Sequence, residues 1–493
     1  MDAKTEKIIA TRENPVYESR EDQLKINLSG LKGGRPYVEM RLSRFSGESK
    51  ADWDGTNRKD GSIVTGRKEQ SHCIPYLGRI AEKINQYVLG VRPVRNGADL
   101  DILNDITSDG ESINQFMRKV NSQITACRWC WIGLDMPRMT EGTLSAADKA
   151  SLKIRPYWKL YTALDVADWK ISDTGRIEWL ITEEKIYQCS TPFEPASNNE
   201  VRRIWEPGKV TTIIFKGDSD KVMSTTEDAL EVSPGKPLPA VPFVLCGEIS
   251  DEPHQFDNLE SINRTIMDLE SANRQNFFKC VFPQAYIPTA TLDNVKQQFE
   301  VNADKAVSMI MGMGYPILLN TGDPAPGYMM PDASAIGTMR TEIDALRMAM
   351  FVSVGLMLQQ ETRQVASAES KAWDFLDVTQ VMRERAELLE DAERKAMNIM
   401  TLWDSSVPVW EPLYNRSFDA GNFETEIASI IQAMTAEQPD ELRRVMLKKL
   451  YERVKLIGTG AIDEKTEKAI LAAIDIFSPG AGFELMPSNP QTA

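Results

Sequence analysis

The chain has 493 residues, 42% hydrophobic and 26% charged, the profile of an ordinary folded protein, and at about 150 residues per domain it predicts roughly three structural units. Its 72 Asp and Glu against 57 Lys and Arg leave a net charge of −15, which makes it a poor candidate for tight phosphate binding, because affinity for nucleic acid comes mainly from cationic side chains. DNA is admissible only as a passing substrate that like-charged walls repel rather than hold. The start of the chain, MDAKTEKIIATRENP, lacks the apolar core of a signal peptide. The longest nearly apolar run, 348–358, is far shorter than the ~20 residues that cross a bilayer. A cytoplasmic site of synthesis is expected, with no membrane partner and with the six cysteines as reduced, buried thiols.

In chain order, residues 1–65 are polar and rich in Gly, Ser, Asp and Lys, and are expected to be loops. Tyr76, Ile80, Ile84, Tyr87 and Val88 recur at helical spacing, and Gly90 with Pro93 ends that helix. INQFMRKVNSQITACRWCWIGLDMP reads as an amphipathic helix running into a short apolar strand. Over 154–246 the period falls to two. IRPYWKLYTALDVADWKI and RIEWLITEEKIYQC flank the turn SDTG as a hairpin, EPGK and KGDSDK mark further turns, and PGKPLPAVPFVLC closes the block. After Asp257 the chain turns helical. One helix carries Leu259, Ile262, Ile266, Leu269 and Phe277 on a stripe and stops at Pro283. A Gly-, Pro- and Met-containing insertion follows, then a returning helix to Gly355 and a polar stretch, QQETRQVASAESKAWDF. Beyond it, a helix of about 37 residues would span roughly 55 Å, with Ser367 as N-cap, Glu369 in its first turn, and a stripe of Val378, Val381, Met382, Leu389, Ala392, Ala396, Ile399 and Trp403. A strand and turn, VPVWEPLYNRSFDAGN, and two or three short helices complete the chain.

Chemistry-bearing motifs are scarce. Cys127 and Cys130 form a CxxC within what reads as an amphipathic helix, and no second CxxC offers zinc ligands, so both are expected to be structural thiols. The only histidines are His72 and His254; His72 adjoins Cys73, but dyad partners are seldom sequence neighbours. Gly312 and Gly314 flank a methionine with no GxxxxGK[ST] nearby, which excludes a P-loop and favours a tight bend. Glu384, Glu387, Glu390, Asp391 and Glu393 alternate with Arg383, Arg385, Arg394 and Lys395, the pattern of a solvated, ion-paired helix face rather than a metal site. The methionines of the insertion (Met309, Met311, Met313, Met329 and Met330) suit either core filling or an adaptable contact surface. No catalytic residue, metal or cofactor is expected.

This order of elements resembles the portal protein of tailed double-stranded DNA bacteriophages. The resemblance covers roughly 70–475. It rests on YLGRIAEKINQYVLGVRP, RPYWKLYTALDVADWKISDTGRIEWL, LESINRTIMDLESANRQNFFK and QVASAESKAWDFLDVTQVMRERAELLEDA. It implies an α+β, portal-like subunit assembled as a ring. Residues 1–256 form an α/β wing, 257–280 and 333–357 a two-helix stem, and 281–332 the clip. Residues 358–367 form a tunnel loop, 368–403 a long tunnel helix, 404–422 a wing return strand, and 423–493 a helical crown and tail. It also implies a ring of twelve subunits at one capsid vertex, through which DNA is packaged and ejected. The implied partners are a terminase, then head-completion or tail adaptor proteins, and a scaffold or major capsid protein. The implied location is the virion, with host cytoplasm during assembly. Glu361, Thr362, Arg363 and Gln364 would line the channel, touching DNA weakly and without sequence specificity. Met311, Tyr315, Tyr328, Met329 and Met330 would meet partners at the clip. Residues before about 70 match least and have no expected role beyond the wing periphery. Another virion structural or adaptor protein is the alternative, and a soluble hydrolase a weaker one.

Overall fold

The computed structural model describes residues 9, 11–57, 63–137, 155–188, 197–216, 222–233, 235–281, 284–286, 292–293, 296–297, 327–329, 334–354, 368–416, 440–457 and 464–476. Helices and sheets are both abundant, as the α+β reading requires, and most of the apolar core is one continuous cluster.

The polar N-terminal stretch, expected as loops, instead forms helices α1 (Pro15–Lys32) and α2 (Gly34–Arg41). Pro15 opens α1, the Asn14 side chain caps it by accepting from the Val16 N–H at 3.0 Å, and Gly33 ends it in the left-handed region at φ 64°. Its buried side is Tyr17, Arg20, Leu24, Asn27, Leu28 and Gly30, which is helical spacing with half the positions not apolar. That mixture hides the period from a hydrophobicity reading.

Helix α3 (Tyr76–Leu89) forms where expected, burying Tyr76, Ile80, Ile84 and Val88, but Tyr87 faces solvent. Strand β1 (Val94–Asn96) follows, then α4 (Ile113–Cys127), opened by a Ser112–Gln115 capping box. The expected CxxC-in-a-helix does not hold. Arg128 takes φ 73°, the helix ends at Cys127, and Cys130 lies in strand β2 (Trp129–Asp135). β2 is the middle of a three-stranded antiparallel sheet between β3 (Tyr157–Tyr161) and β9 (Phe243–Gly247). Its run Trp129–Leu134 is buried on both faces, with the small Gly133 fitted between the Tyr161 and Phe243 rings.

Strands β4 (Val166–Ile171), β5 (Ile177–Gln188), β6 (Ser197–Glu206), β7 (Lys209–Phe215) and β8 (Val222–Ala229) form a five-stranded antiparallel meander in sequence order. The hairpin at SDTG and the EPGK turn, with Gly208 at φ 79°, are as expected. The run 154–171 is not one strand, however. A turn at 162–165, closed by Asp165 accepting from the Thr162 N–H at 2.6 Å, sends β3 and β4 to different sheets.

Helices α5 (Gln255–Val281) and α6 (Ser334–Ser353) are joined distally by a ribbon of β10 (Gln284–Tyr286) and β11 (Gly327–Met329). Helix α7 (Ala368–Trp403), 36 residues and about 54 Å long, lies against α3 and the three-stranded sheet. Strand β12 (Glu411–Leu413) then returns to pair with β1. Helices α8 (Asp440–Ile457) and α9 (Glu464–Ile476) touch each other, with a Lys448–Asp475 ion pair at 2.7 Å.

The acidic series on α7 divides by face. Glu384, Glu387 and Asp391 are exposed, but Glu390 and Glu393 are buried. Glu393 interrupts the inward stripe Met382, Ala386, Leu389, Ala396, Met397, Met400. Both its oxygens receive the Arg95 guanidinium (Nε 2.6 Å, Nη2 2.9 Å), and it also accepts from Trp410 Nε1 at 2.9 Å and Tyr414 Oη at 2.7 Å. Arg95 further donates to Asn114 on α4 at 2.9 Å. Glu390 accepts from the Tyr414 N–H, Arg394 and Arg416. Burial opposes the charge on Arg95, but the bond to Glu393 holds its pKa above the ordinary value. Removing one partner leaves the other charge buried and alone, so Glu393→Gln is expected to cost about 3–5 kcal/mol in urea unfolding, against well under 1 kcal/mol for the exposed Asp391→Asn.

Candidate functional site

The hairpin α5–α6 is the most distinctive element, and its root is polar. At the near end the Gln255 side-chain amide donates to the Ser353 carbonyl, so the two helices run antiparallel over their shared length. Along α5, Asp257, Glu260, Asp268 and Ser271 each meet the N-terminal region. Asp257 accepts from Arg20 at 2.8 Å and Asn27 at 2.7 Å. Glu260 accepts from Tyr37 Oη at 3.0 Å and from Arg41 through two nitrogens at 2.7 and 3.0 Å. Asp268 caps the Ser43 N–H at 3.0 Å.

Arg67 completes the root. It donates to Ser271 at 2.7 Å and to both oxygens of Glu48 at 2.8 Å, and also to the Ser43 carbonyl, while its guanidinium lies over the rings of Phe45 and Trp53 at 4.1 and 4.8 Å. Its hydrogen bonds hold the Glu48 carboxyl below the usual range. The segment before residue 70, expected to be peripheral, is thus what fastens the hairpin. The signal lay in α5: positions 257, 260, 264, 268 and 271 form a polar stripe at helical spacing beside the apolar one.

Among the described residues, the outer part of the hairpin buries no side chain. The last buried residue on α5 with a described side chain is Ser271, and on α6 the first is Ile343. Phe277, expected on the buried stripe, is exposed. An open groove of about 540 Å³ runs here, lined by His72, Glu270, Asn273, Arg274, Phe277, Ile336 and Arg340. His72 Nδ1 lies 2.8 Å from Arg274 Nη1, whereas the Cys73 thiol receives the Asn263 amide at 3.7 Å and is pushed up to about 11, chiefly by burial. The neighbouring pair therefore does not form a Cys/His dyad.

Of the expected channel residues, Glu361, Thr362, Arg363 and Gln364 lie outside the described residues, as do Met311, Tyr315 and Met330 and the bend at Gly312–Gly314. Tyr328 and Met329 are in the ribbon, opposite Ala285 and Gln284. Among the described residues no cluster of His, Cys, Asp and Glu could hold a metal, and no helix is long and apolar enough to cross a membrane. Cys127, Cys130 and Cys246 are free, buried thiols, with Cys127 pushed up to about 12 by burial. They are expected to stay unmodified by a thiol-reactive disulfide until the protein unfolds.

No family model matches the chain, and no curated protein matches it.

His254 stands just before α5. Burial, more than the nearby cations Arg385, Arg128 and Arg20, pushes its pKa down to about 4 against the pull of Asp257. Below 6.5 the fold binds fewer protons here than the unfolded chain, so this site makes stability fall as pH drops from about 6.5 to about 4. In denaturant midpoints measured over that interval, His254→Gln should show a shallower loss than the wild type.

Proposed function

We propose that this chain is the subunit of a ring-shaped conduit for double-stranded DNA, the portal of a tailed bacteriophage. The observation that carries this reading is the order in space. An α/β lobe gives rise to an antiparallel helical hairpin closed by a small ribbon, and a 36-residue helix then crosses back over the lobe before the chain re-pairs with the lobe's own strand β1. In this reading the lobe is the wing, α5 and α6 are the stem, the insertion between them is the clip, and α7 is the tunnel helix. Residues 358–367 form the loop facing the channel, and 423–493 the crown.

Two physical features support it. A helical pair whose outer part has no buried side chain among the described residues is poorly stable alone, so the outer hairpin calls for lateral neighbours. Repeated copies set side by side would supply them, each using the same two faces and closing into a ring. The net charge of −15 suits a conduit that must not grip its cargo. On this reading the protein is structural, and a separate terminase supplies the work. Adaptor proteins would dock at the clip, and a scaffold or major capsid protein at the wing, in the virion.

Native mass and negative-stain imaging of the purified protein test the reading: rings of about a dozen subunits with a central hole are expected, and a compact monomer or dimer at high concentration and low salt would refute it. Shortening 360–366 should leave rings intact and reduce packaged or retained DNA, read as the ratio of filled to empty heads; an unchanged ratio removes the role given to Glu361, Thr362, Arg363 and Gln364.

A further inference from the structure

A second, smaller and partly open cavity lies where α5, α6 and α7 converge on the lobe. Its volume is about 60 Å³, roughly twice the share of one water molecule in the liquid. Its walls are mostly aliphatic or aromatic: Ile80 and Ile84 of α3, Phe256 and Leu259 of α5, and Met382 of α7. Val354 and the exposed Val381 also line it. Into this apolar setting project Arg385 and His254.

Arg385 is anomalous. Among the described residues no carboxylate, carbonyl or hydroxyl accepts a hydrogen bond from its guanidinium. The other arginines around it are paired, Arg20 with Asp257 and Arg128 with Glu248, both at 2.8 Å. Besides burial, Arg385 feels the Cys130 thiol, which burial holds far above its usual range and therefore uncharged. Burial pushes Arg385 itself down to about 10, so it still carries its charge at neutral pH. A half-buried guanidinium against apolar walls is partly desolvated, and with no counter-charge its donors are free for an anion that enters the cavity. His254 adds a donor. Its Nδ1 accepts from the Phe256 N–H at 3.4 Å, which leaves the proton on Nε2, and no described group receives it. Thr125, also in the wall, already spends its hydroxyl proton on the Asn121 carbonyl at 2.8 Å.

We propose that this cavity is a receptor for one carboxylate group, paired with the Arg385 guanidinium and steadied by the Nε2–H of His254. The size admits a carboxylate on a short aliphatic stem. A phosphate dianion would need more donors than one guanidinium and one neutral imidazole provide. The carboxylate has two sources, a free small molecule or an Asp or Glu side chain of another copy of this chain. The inference stands whether or not the chain forms a ring.

The probe is acetate, with acetamide as the neutral isostere and chloride as the ionic-strength control, added to protein dialysed free of carboxylates. Melting temperature and native mass are read together. Wild type should show a saturable rise in melting temperature with acetate only. Arg385→Met should lose it, with at least a tenfold drop in affinity, and without acetate should melt no lower than wild type, because the unpaired charge is gone. Arg385→Lys, which keeps the charge, should retain a weakened response. If acetate also lowers the native mass of an assembly, and Arg385→Met assembles less well, the source is a neighbouring copy. If mass is unaffected, the source is a free carboxylate. The proposal is overturned if acetate does no more than acetamide and chloride while Arg385→Met leaves both readouts unchanged. It is equally overturned if Arg385→Met melts lower with no acetate effect in wild type, since that is the mark of an internal strut.

Discussion

The Glu393 carboxylate is the point on which the architecture turns. Four donors from two separate chain segments reach it: two nitrogens of Arg95 on one, and the indole of Trp410 and the hydroxyl of Tyr414 on the other. Through them α7 is tied to β1, to the return segment and, by way of Asn114, to α4. An apolar stripe could slide along the sheet with modest loss, because hydrophobic contact has no direction. A bidentate ion pair cannot, because a shift of one residue would strand both charges in the core. The pair therefore fixes the register of the longest helix against the lobe. The apolar contacts, including Trp158 against Trp410 with ring centroids 6.4 Å apart, then add their area to a position already defined.

The same device recurs at the root of the hairpin. Asp257, Glu260, Asp268 and Ser271 are each matched by a donor from 15–71, and Arg67 is held from several sides at once. Buried polar contacts thus define both places where long helices leave the lobe, whereas the lobe interior, around Trp129, Trp131 and Trp158, is packed by shape. This division gives a stiff base carrying a hairpin whose outer part has little of its own to hold it.

This division also explains what the sequence revealed. Elements with apolar period or explicit punctuation were legible: the hairpins at SDTG and EPGK, helix 76–89, both hairpin helices, and 368–403 almost to the residue. Elements positioned by polar contacts were not. Helix 15–32 buries Arg20 and Asn27 where a pattern reader looks for leucine, and Glu393 reads as a surface acid because its neighbours in sequence are surface acids. Its partners, Arg95, Trp410 and Tyr414, are close only after folding. The split of Cys127 from Cys130 depends on a left-handed Arg128, a residue type that gives no warning of that conformation. The cavity at Arg385 was hidden for the same reason as Glu393, since the run Arg383–Glu384–Arg385 reads as a solvated face.

The return after α7 has a further consequence. Between the buried Trp403 and Trp410 the chain reverses in a short turn in which Ser405, Ser406 and Val409 are exposed, while Glu393 and Glu390 hold what comes after it. A chain cut at Ser405–Ser406 would have its two pieces clasped by a carboxylate, and the exposed turn is a natural place to splice in foreign sequence.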